Sequence, residues 1–441
     1  MSAQPHAMQE APAYPPSSPL RRGYTLGLLT LLSALTFMDR QILAVLLQPV
    51  KAEFGLSDLA IGLITGLGFS LTFVLLGIPL GKLADRGQRR SVLVFSRGVG
   101  ALLGAAGALA TGFWSLLVSR AGSALSDAGG APASIAMLSD LYPPERRSRV
   151  ISVFGTGASV GALLSLVLGA WLAQHYGWRV TMAVIGASAL LFVALLYATV
   201  REPVHALRAQ GAAQQRHGAL RELARNRVAL WLILGSGFTL LAAYSFGAWN
   251  TALLIRRHGL SLQAAGWISG AAALASITGA LWSGHFTDWM CRRDQRWQLG
   301  VPLLGMVLAL PCGLAYLAMP VGSVWVASAL LLVYAFFVVW WAAPVYAALS
   351  FVVPAQRRAT AHAVIMLVGS VVGSGLGPIL TGWLSDRLDT GLAGDGLRFA
   401  LMAMIGMLVP GALAFARALP AYPALRQALL QQAAAVPRSC T

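Results

Sequence analysis

The sequence predicts an all-α integral membrane protein of twelve transmembrane helices, arranged as two pseudo-symmetric six-helix bundles. Three observations predict it. The 441 residues are 57% hydrophobic and only 11% charged, with a mean hydropathy of +0.70, whereas a soluble domain carries roughly 25% charged residues. Twelve apolar segments lie near 24–47, 58–81, 91–112, 114–139, 150–174, 179–200, 228–255, 263–287, 301–320, 324–352, 361–385 and 398–418, each close to or above the ~20 residues a spanning helix needs. The charged loop GKLADRGQRR at 81–90, set between two of these segments, returns in weaker form as GHFTDWMCRRDQRW at 284–297. Barrel strands would alternate in polarity, and these segments do not.

Taken in order, residues 1–22 form a cytoplasmic tail expected to be disordered, with five prolines in its first 20 positions. No short apolar run with a small-residue cleavage site follows it, so the first segment is expected to stay as a span. Residues 23–200 hold the first six segments, and 201–227 is the longest and most basic loop, a cytoplasmic linker between bundles. Residues 228–418 hold the second six, and 419–441 close the chain as a cytoplasmic tail. The halves match beyond the loop. GASVGALLSLVLGAWL at 157–172 aligns with GSVVGSGLGPILTGWL at 369–384, pairing Gly157 with Gly369, Gly161 with Gly373 and Trp171 with Trp383. The loops before them, PPERRSR at 143–149 and VPAQRRAT at 353–360, correspond too. Both copies run the same way, as in halves related by an axis along the membrane normal. The small-xxx-small spacing of these glycines lets helix backbones approach closely.

The net charge of +17 follows from orientation rather than from nucleic-acid binding. With both termini cytoplasmic, 23 of the 32 Lys and Arg residues fall on the cytoplasmic side and six outside, while Arg40, Arg97 and Arg120 lie within spans. That excess is the usual topology signal, and it predicts a multi-pass protein of the cell inner membrane. Cys291, Cys312 and Cys440 are far apart and imply no disulfide framework. Neither Cys nor His shows metal-ligand spacing, and the chain has no phosphate-binding loop or nucleophile elbow. No enzyme activity, ATP-driven pumping or cofactor is expected. The expected partners are a small-molecule or lipid substrate and the bilayer, with the chain a monomer.

Charges inside the membrane cost roughly 2.5–3.5 kcal/mol each on insertion scales, so each needs a reason. At about 1.5 Å per residue, Asp39 lies about 22 Å into the first span, while Arg120 and Asp127 lie about 9 Å and 20 Å below the outer surface in the fourth. Asp39 and Arg120 therefore share a level, with Asp127 nearer the middle. Asp39, Arg40, Arg120 and Asp127 form the candidate cluster for proton coupling and substrate contact, since an Arg freed from its Asp can bind an anionic headgroup in a fork. The alternative is a static pair that orders helices. Arg97, seven residues past Arg90, is expected to snorkel to the cytoplasmic interface. Gly81, Asp85, Arg86, Arg89 and Arg90 make a candidate cytoplasmic gate. In it Asp85 would pair with Arg146 or Arg147, or sit at the N-terminus of span 11, and Asp288 is its counterpart in the repeat. Tyr244, Trp249, Asn250, Trp340 with its neighbour Trp341, Tyr346 and His362 are candidates for the opposite cavity wall, because aromatic rings combine an apolar body with a polar handle. Core packing or a lipid-facing position accounts for each of them equally well.

Gly81, Asp85, Arg86, Arg89 and Arg90 fit the pattern G-x-x-x-D-R-x-G-R-R, with Gln88 in the last glycine's place. Together with the six-plus-six spans, this resembles the major facilitator superfamily. FMDRQILAVLLQPVKAEFGLSDLAIGLITG at 37–66, LSDLYPPERR at 138–147, RRDQRWQLGVP at 292–302 and DGLRFAL at 395–401 are similar to the bacterial branch of the spinster-like transporters. The resemblance implies the major facilitator fold, alternating access, amphipathic substrates such as lysophospholipids or sphingoid phosphates, and proton coupling through charges in spans 1 and 4. That family usually carries a Glu seven residues after the span 4 Arg. Here the pair is Arg120 and Asp127, one methylene shorter, and Arg97 falls where the family is apolar. Export of hydrophobic drugs and a non-transporting sensor on the same fold are the competing readings.

Overall fold

The computed structural model describes residues 18–85, 89–200, 219–354, 357–389 and 395–435, and no strand occurs among them. Span 1 is Pro19–Phe54, opened by Ser18, whose side chain accepts from the Arg21 amide, and closed by Gly55 at φ 61°. Only glycine enters that left-handed region freely. Span 2 is Asp58–Asp85, and span 3 is Arg89–Ala106 with a 3₁₀ turn at Gly107–Leu109. Span 4 is two pieces, Phe113–Ser123 and Leu125–Leu141. Span 5, Pro144–Leu164, passes through a π turn at Ser165–Gly169 into Ala170–Thr199. That helix breaks at Gly177 (φ 81°), where span 6 begins.

The second half repeats the plan. Span 7 is Arg227–His258, capped by the Asn226 side chain and ended by Gly259 at φ 64°. Span 8 is Leu262–Cys291 and span 9 is Trp297–Ala318. Span 10 is split into Val324–Val338 and Ala342–Val352. Span 11 runs as Arg358–Val368, a π segment Gly369–Leu376, and Gly377–Asp389. Span 12 is Gly396–Gly406 and Leu408–Ala418. Among the described residues, ten helices are long and apolar enough on their own to cross a membrane, one of them a 51-residue helix, Arg149–Thr199. Gly177 divides that one into spans 5 and 6. Span 4 joins the set once its 11- and 17-residue pieces are read together, which gives the twelve-helix membrane fold.

Three boundaries differ from the sequence expectation. Helix begins at Pro19, inside the expected tail, because a proline suits a first helical turn. Ala219–Arg225 is a short helix within the expected linker, and Arg227 already belongs to span 7. Tyr422–Ala435 is helical and packs Tyr422 into the core beside span 10, so this part of the closing tail is ordered. Residues 1–17, 201–218 and 436–441 lie outside the described residues.

The hydrophobic core shows which end is closed. On the side away from the termini, hereafter the far side, one buried cluster runs through both halves, joining Ile42, Leu46 and Ile61 to Phe246, Trp249 and Leu331. On the terminus side the core is two clusters. One lies in the first half around Leu29, Leu93 and Met137; the other lies in the second half around Leu232, Leu349 and Ile365. The far-side part of span 11, from Gly369 on, packs on span 2, whereas Arg358–Val368 packs mainly within its own half. The molecule is shut at the far side and parted at the terminus side.

Candidate functional site

A cavity of about 400 Å³ lies between the halves. Its first-half wall carries Arg40, Gln41, Thr65, Phe69, Arg120 and Ser123. Its second-half wall carries Leu240, Ala243, Tyr244, Ala248, Val339 and Trp341. One wall thus holds two guanidiniums, and the other is apolar and aromatic apart from Ser374.

Each guanidinium is tied to a carboxylate one layer behind the wall. Arg120 Nη2 donates to Asp39 Oδ1 at 3.0 Å, and its Nη1 donates to the Asp39 carbonyl at 2.9 Å. Arg40 Nη1 stands 3.7 Å from Asp127 Oδ2, an ion pair longer than a hydrogen bond. Consecutive residues of span 1 therefore reach residues two turns apart on span 4. Asp127 lies in the first turn of the second piece of span 4, where the helix dipole favours negative charge. The Arg40 guanidinium sits 4.0 Å from the Phe69 ring centroid and 5.8 Å from that of Tyr244. These cation–π contacts hold it at the wall without closing its hydrogen-bonding edge.

Other candidates are placed differently. Tyr244 faces the cavity, and so does Trp341. Trp249 is fully buried, its Nε1 donating to the Pro378 carbonyl at 3.2 Å, and it belongs to the far-side closure rather than the cavity. Asn250 is buried in a polar knot, accepting from Tyr316 Oη at 2.8 Å and donating to Ser269 Oγ at 3.3 Å. Trp340 packs among Phe286, Phe336 and Phe337. Tyr346 stacks between Trp341 and His362, and His362 Nε2 shares a hydrogen bond with Ser350 Oγ at 2.9 Å. None of these five residues lines the cavity. Aromatic character marks a helix face only through its neighbours, which the sequence does not display.

Arg97 corrects a second expectation. It does not snorkel: it is 2% exposed, with Nη1 donating to the Leu32 carbonyl at 2.7 Å and to Thr36 Oγ1 at 2.5 Å. Two acceptors on span 1 hold it inward. At the terminus side, Arg89 pairs with Asp140 and donates to the Ala136 carbonyl at 2.6 Å, while Arg90 bonds the Tyr197 carbonyl. Arg147 Nε donates to the Tyr142 carbonyl at 3.2 Å, Arg146 and Asp288 are exposed, and a Cβ on Gly81 would meet open space. These bonds tie spans 3, 4 and 6 of one half together, in keeping with a parted terminus side. Arg86 and the Asp85 side chain lie outside the described residues.

The charged lock of the far side was not foreseen. Asp58, 0% exposed, accepts two bonds from Arg256 at 2.7 Å each, one from Lys51 at 2.5 Å and one from Ser385 Oγ at 2.7 Å. Asp386 accepts from the Asp58 and Leu59 amides at 2.9 and 2.8 Å. The signal for it in the sequence is the internal match of GLSD at 55–58 with GLSL at 259–262, where an acid replaces an apolar residue.

The comparisons agree with this geometry. Residues 29–378 match the model of the Major Facilitator Superfamily. An MFS-type efflux pump of Mycolicibacterium smegmatis is 32% identical over 404 residues, covering 90% of this chain and 92% of that protein. Human protein spinster homolog 1 is 26% identical, covering 84% of this chain and 74% of its own length. The crystal structure of a bacterial homolog of the human lysosomal transporter spinster, inward-facing and occupied, superposes with a TM-score of 0.80 at 25% identity, covering 93% of this chain and 99% of that one. The chain belongs to the Major Facilitator Superfamily and is a membrane transporter rather than an enzyme.

Proposed function

We propose that the protein is a secondary active transporter that works by alternating access and moves an amphipathic, lipid-like anion of the lysophospholipid or sphingoid-phosphate kind, coupled to protons. The observation that carries this reading is the pair of unlike cavity walls, Arg40 and Arg120 facing Tyr244, Trp341 and aliphatic side chains. A headgroup anion competes with Asp127 and Asp39 for those guanidiniums, and charge-assisted forks favour it. A carboxylate that loses its Arg stands in a dry interior and is stabilised by taking up a proton. The aromatic wall receives the apolar tail. In the opposite state the far-side lock at Asp58 opens, and the terminus side closes. The excess of basic residues on the terminus side favours both termini in the cytoplasm of an inner membrane.

The test uses purified protein in liposomes loaded with a pH-sensitive dye. Lysolipids are added outside, with Asp127→Asn and Arg40→Ala in parallel. Lysolipid-driven pH change that disappears in Asp127→Asn supports coupling at span 4; labelled-lipid flux without pH change in either protein means facilitated diffusion. Arg40→Ala is expected to slow lysolipid flux roughly tenfold or more, since a hydrogen bond to a charged group contributes about 1.5–3 kcal/mol. A second reading, export of hydrophobic molecules, is favoured by the efflux-pump relative. It predicts that Arg40→Ala leaves the flux of a neutral hydrophobic dye nearly unchanged.

A further inference from the structure

The two cations of the cavity wall are engaged to different degrees. Arg120 commits Nη1 and Nη2 to the Asp39 carbonyl and carboxylate at 2.9 and 3.0 Å. Arg40 makes no hydrogen bond among the described residues and faces Asp127 only at 3.7 Å. Three rings surround its guanidinium: Phe69 at 4.0 Å, Phe37 at 5.7 Å and Tyr244 at 5.8 Å. Phe37 and Phe69 belong to spans 1 and 2, and Tyr244 alone comes from the second half. A cation–π contact needs only the ring face, so phenylalanine would serve in all three places, and the Tyr244 hydroxyl is surplus to that contact. It is surplus to packing as well. Tyr244 lines the cavity, is 37% exposed, and its hydroxyl makes no hydrogen bond among the described residues. By contrast, the buried Tyr316 hydroxyl donates to Asn250. Ser374, the other hydroxyl of the second-half wall, already donates to the Ser370 carbonyl at 2.9 Å. Span 11 backs one edge of the Tyr244 ring, since a Cβ on Gly373 would lie 2.6 Å from Cδ2 and 3.2 Å from Cε2.

We propose that the Tyr244 hydroxyl is the second half's hydrogen-bond donor to the substrate headgroup, and that it sets a preference for a phosphomonoester. The proposal rests on the reading of the cavity as an anion site. The planar fork of Arg40 takes two oxygens side by side. A phosphomonoester keeps a third terminal oxygen, and the Tyr244 O–H donates to it. A phosphodiester has both of its terminal oxygens in the fork, and a carboxylate has no third oxygen to offer. Arg40 and Tyr244 stand close enough for one phosphate to touch both, because each hydrogen bond spans about 2.8 Å. The ring face stays available to the first carbons of the tail, so Tyr244 serves both ends of an amphipathic ligand. A headgroup held in this way is shared between span 1 and span 7, one from each half. Its binding draws together the halves that are parted at the terminus side.

Binding to the full-length protein in maltoside micelles is read by scintillation proximity. The probes are radiolabelled oleoyl lysophosphatidate, a phosphomonoester, and oleoyl lysophosphatidylcholine, a phosphodiester with the same tail. Tyr244→Phe keeps the ring and loses only the hydroxyl. It is expected to weaken lysophosphatidate about tenfold or more, as for loss of a hydrogen bond to a charged group, and to leave lysophosphatidylcholine within about twofold. Tyr244→Leu is expected to weaken both lipids, because the ring is lost as well. The ratio of the two affinities is the readout, and a hydroxyl that merely supported the fold would not move it. Unchanged lysophosphatidate binding in Tyr244→Phe overturns the proposal, and so does an equal loss for both lipids. Wild type that binds neither lipid overturns the anion reading of the cavity and this proposal with it. Wild type that binds both, with Tyr244→Phe unchanged, overturns this proposal alone.

Discussion

The far side of the molecule is closed by two seams, span 2 against span 11 and span 8 against span 5, and the internal repeat makes them equivalents. Aligning Gly55 with Gly259 brings Gly62 opposite Gly266; aligning Gly157 with Gly369 brings Leu166 opposite Pro378 and Gln174 opposite Asp386. The contacts obey that alignment. A Cβ on Gly62 would meet the Pro378 carbonyl, and one on Gly266 would meet the Leu166 carbonyl. Asp386 receives the first amides of span 2, and Gln174 receives the Leu262 amide of span 8 at 3.1 Å. The chemistry then diverges. The 2/11 seam buries Asp58 with Arg256, Lys51 and Ser385, and a Cβ on Gly66 would overlap the Gly375 carbonyl. At the 5/8 seam, Gly270 faces the Val167 and Leu163 side chains instead, and Gln174 is exposed. One geometry has thus been built twice, once with a buried ionic lock and once as a neutral joint. Close backbone contact permits both, and the polar side chains decide which seam resists opening.

Substitutions should rank the seams accordingly. Asp58→Asn leaves Arg256 and Lys51 without their carboxylate, and breaking a buried pair this way costs about 3–5 kcal/mol. Spin labels at the far ends of spans 2 and 11 should then show the separated distance as the main population, together with a lower melting temperature. A distance distribution identical to wild type would remove the lock from the account. Asp386→Ala orphans two amides at the start of span 2 and is expected to cost about 1–3 kcal/mol, seen as partial opening of the same labels. Gln174→Ala loses one exposed bond and should cost about 0.5 kcal/mol, with no change at the 2/11 labels. Equal effects from Asp386→Ala and Gln174→Ala would erase the distinction between seams.

Much of the fold was legible because lipid demands long apolar helices, and the twelve segments stand out on hydropathy alone. The breaks at Ala124 and after Val338 were not, since no proline stands at either point. In the site, a constant helical rise was enough to put Asp39 and Arg120 at one level, where they pair. Arg97 misled because the room for it comes from Gly130 on another helix. Trp249, Asn250 and Trp340 misled because residue type does not reveal which way a face turns. Asp58 was passed over because it begins a span, where a charge ordinarily meets water.

The lock also has a direction in time. While the far side is shut, Asp58 is sealed from solvent and only the outer parts of Lys51 and Arg256 are wet, so dissolved ions screen its pairings weakly. Once it parts, the same charges are wetted and screened over about 8 Å at physiological ionic strength. Salt in the far compartment therefore affects the departure less than the return, so the carrier lingers facing a saline far compartment.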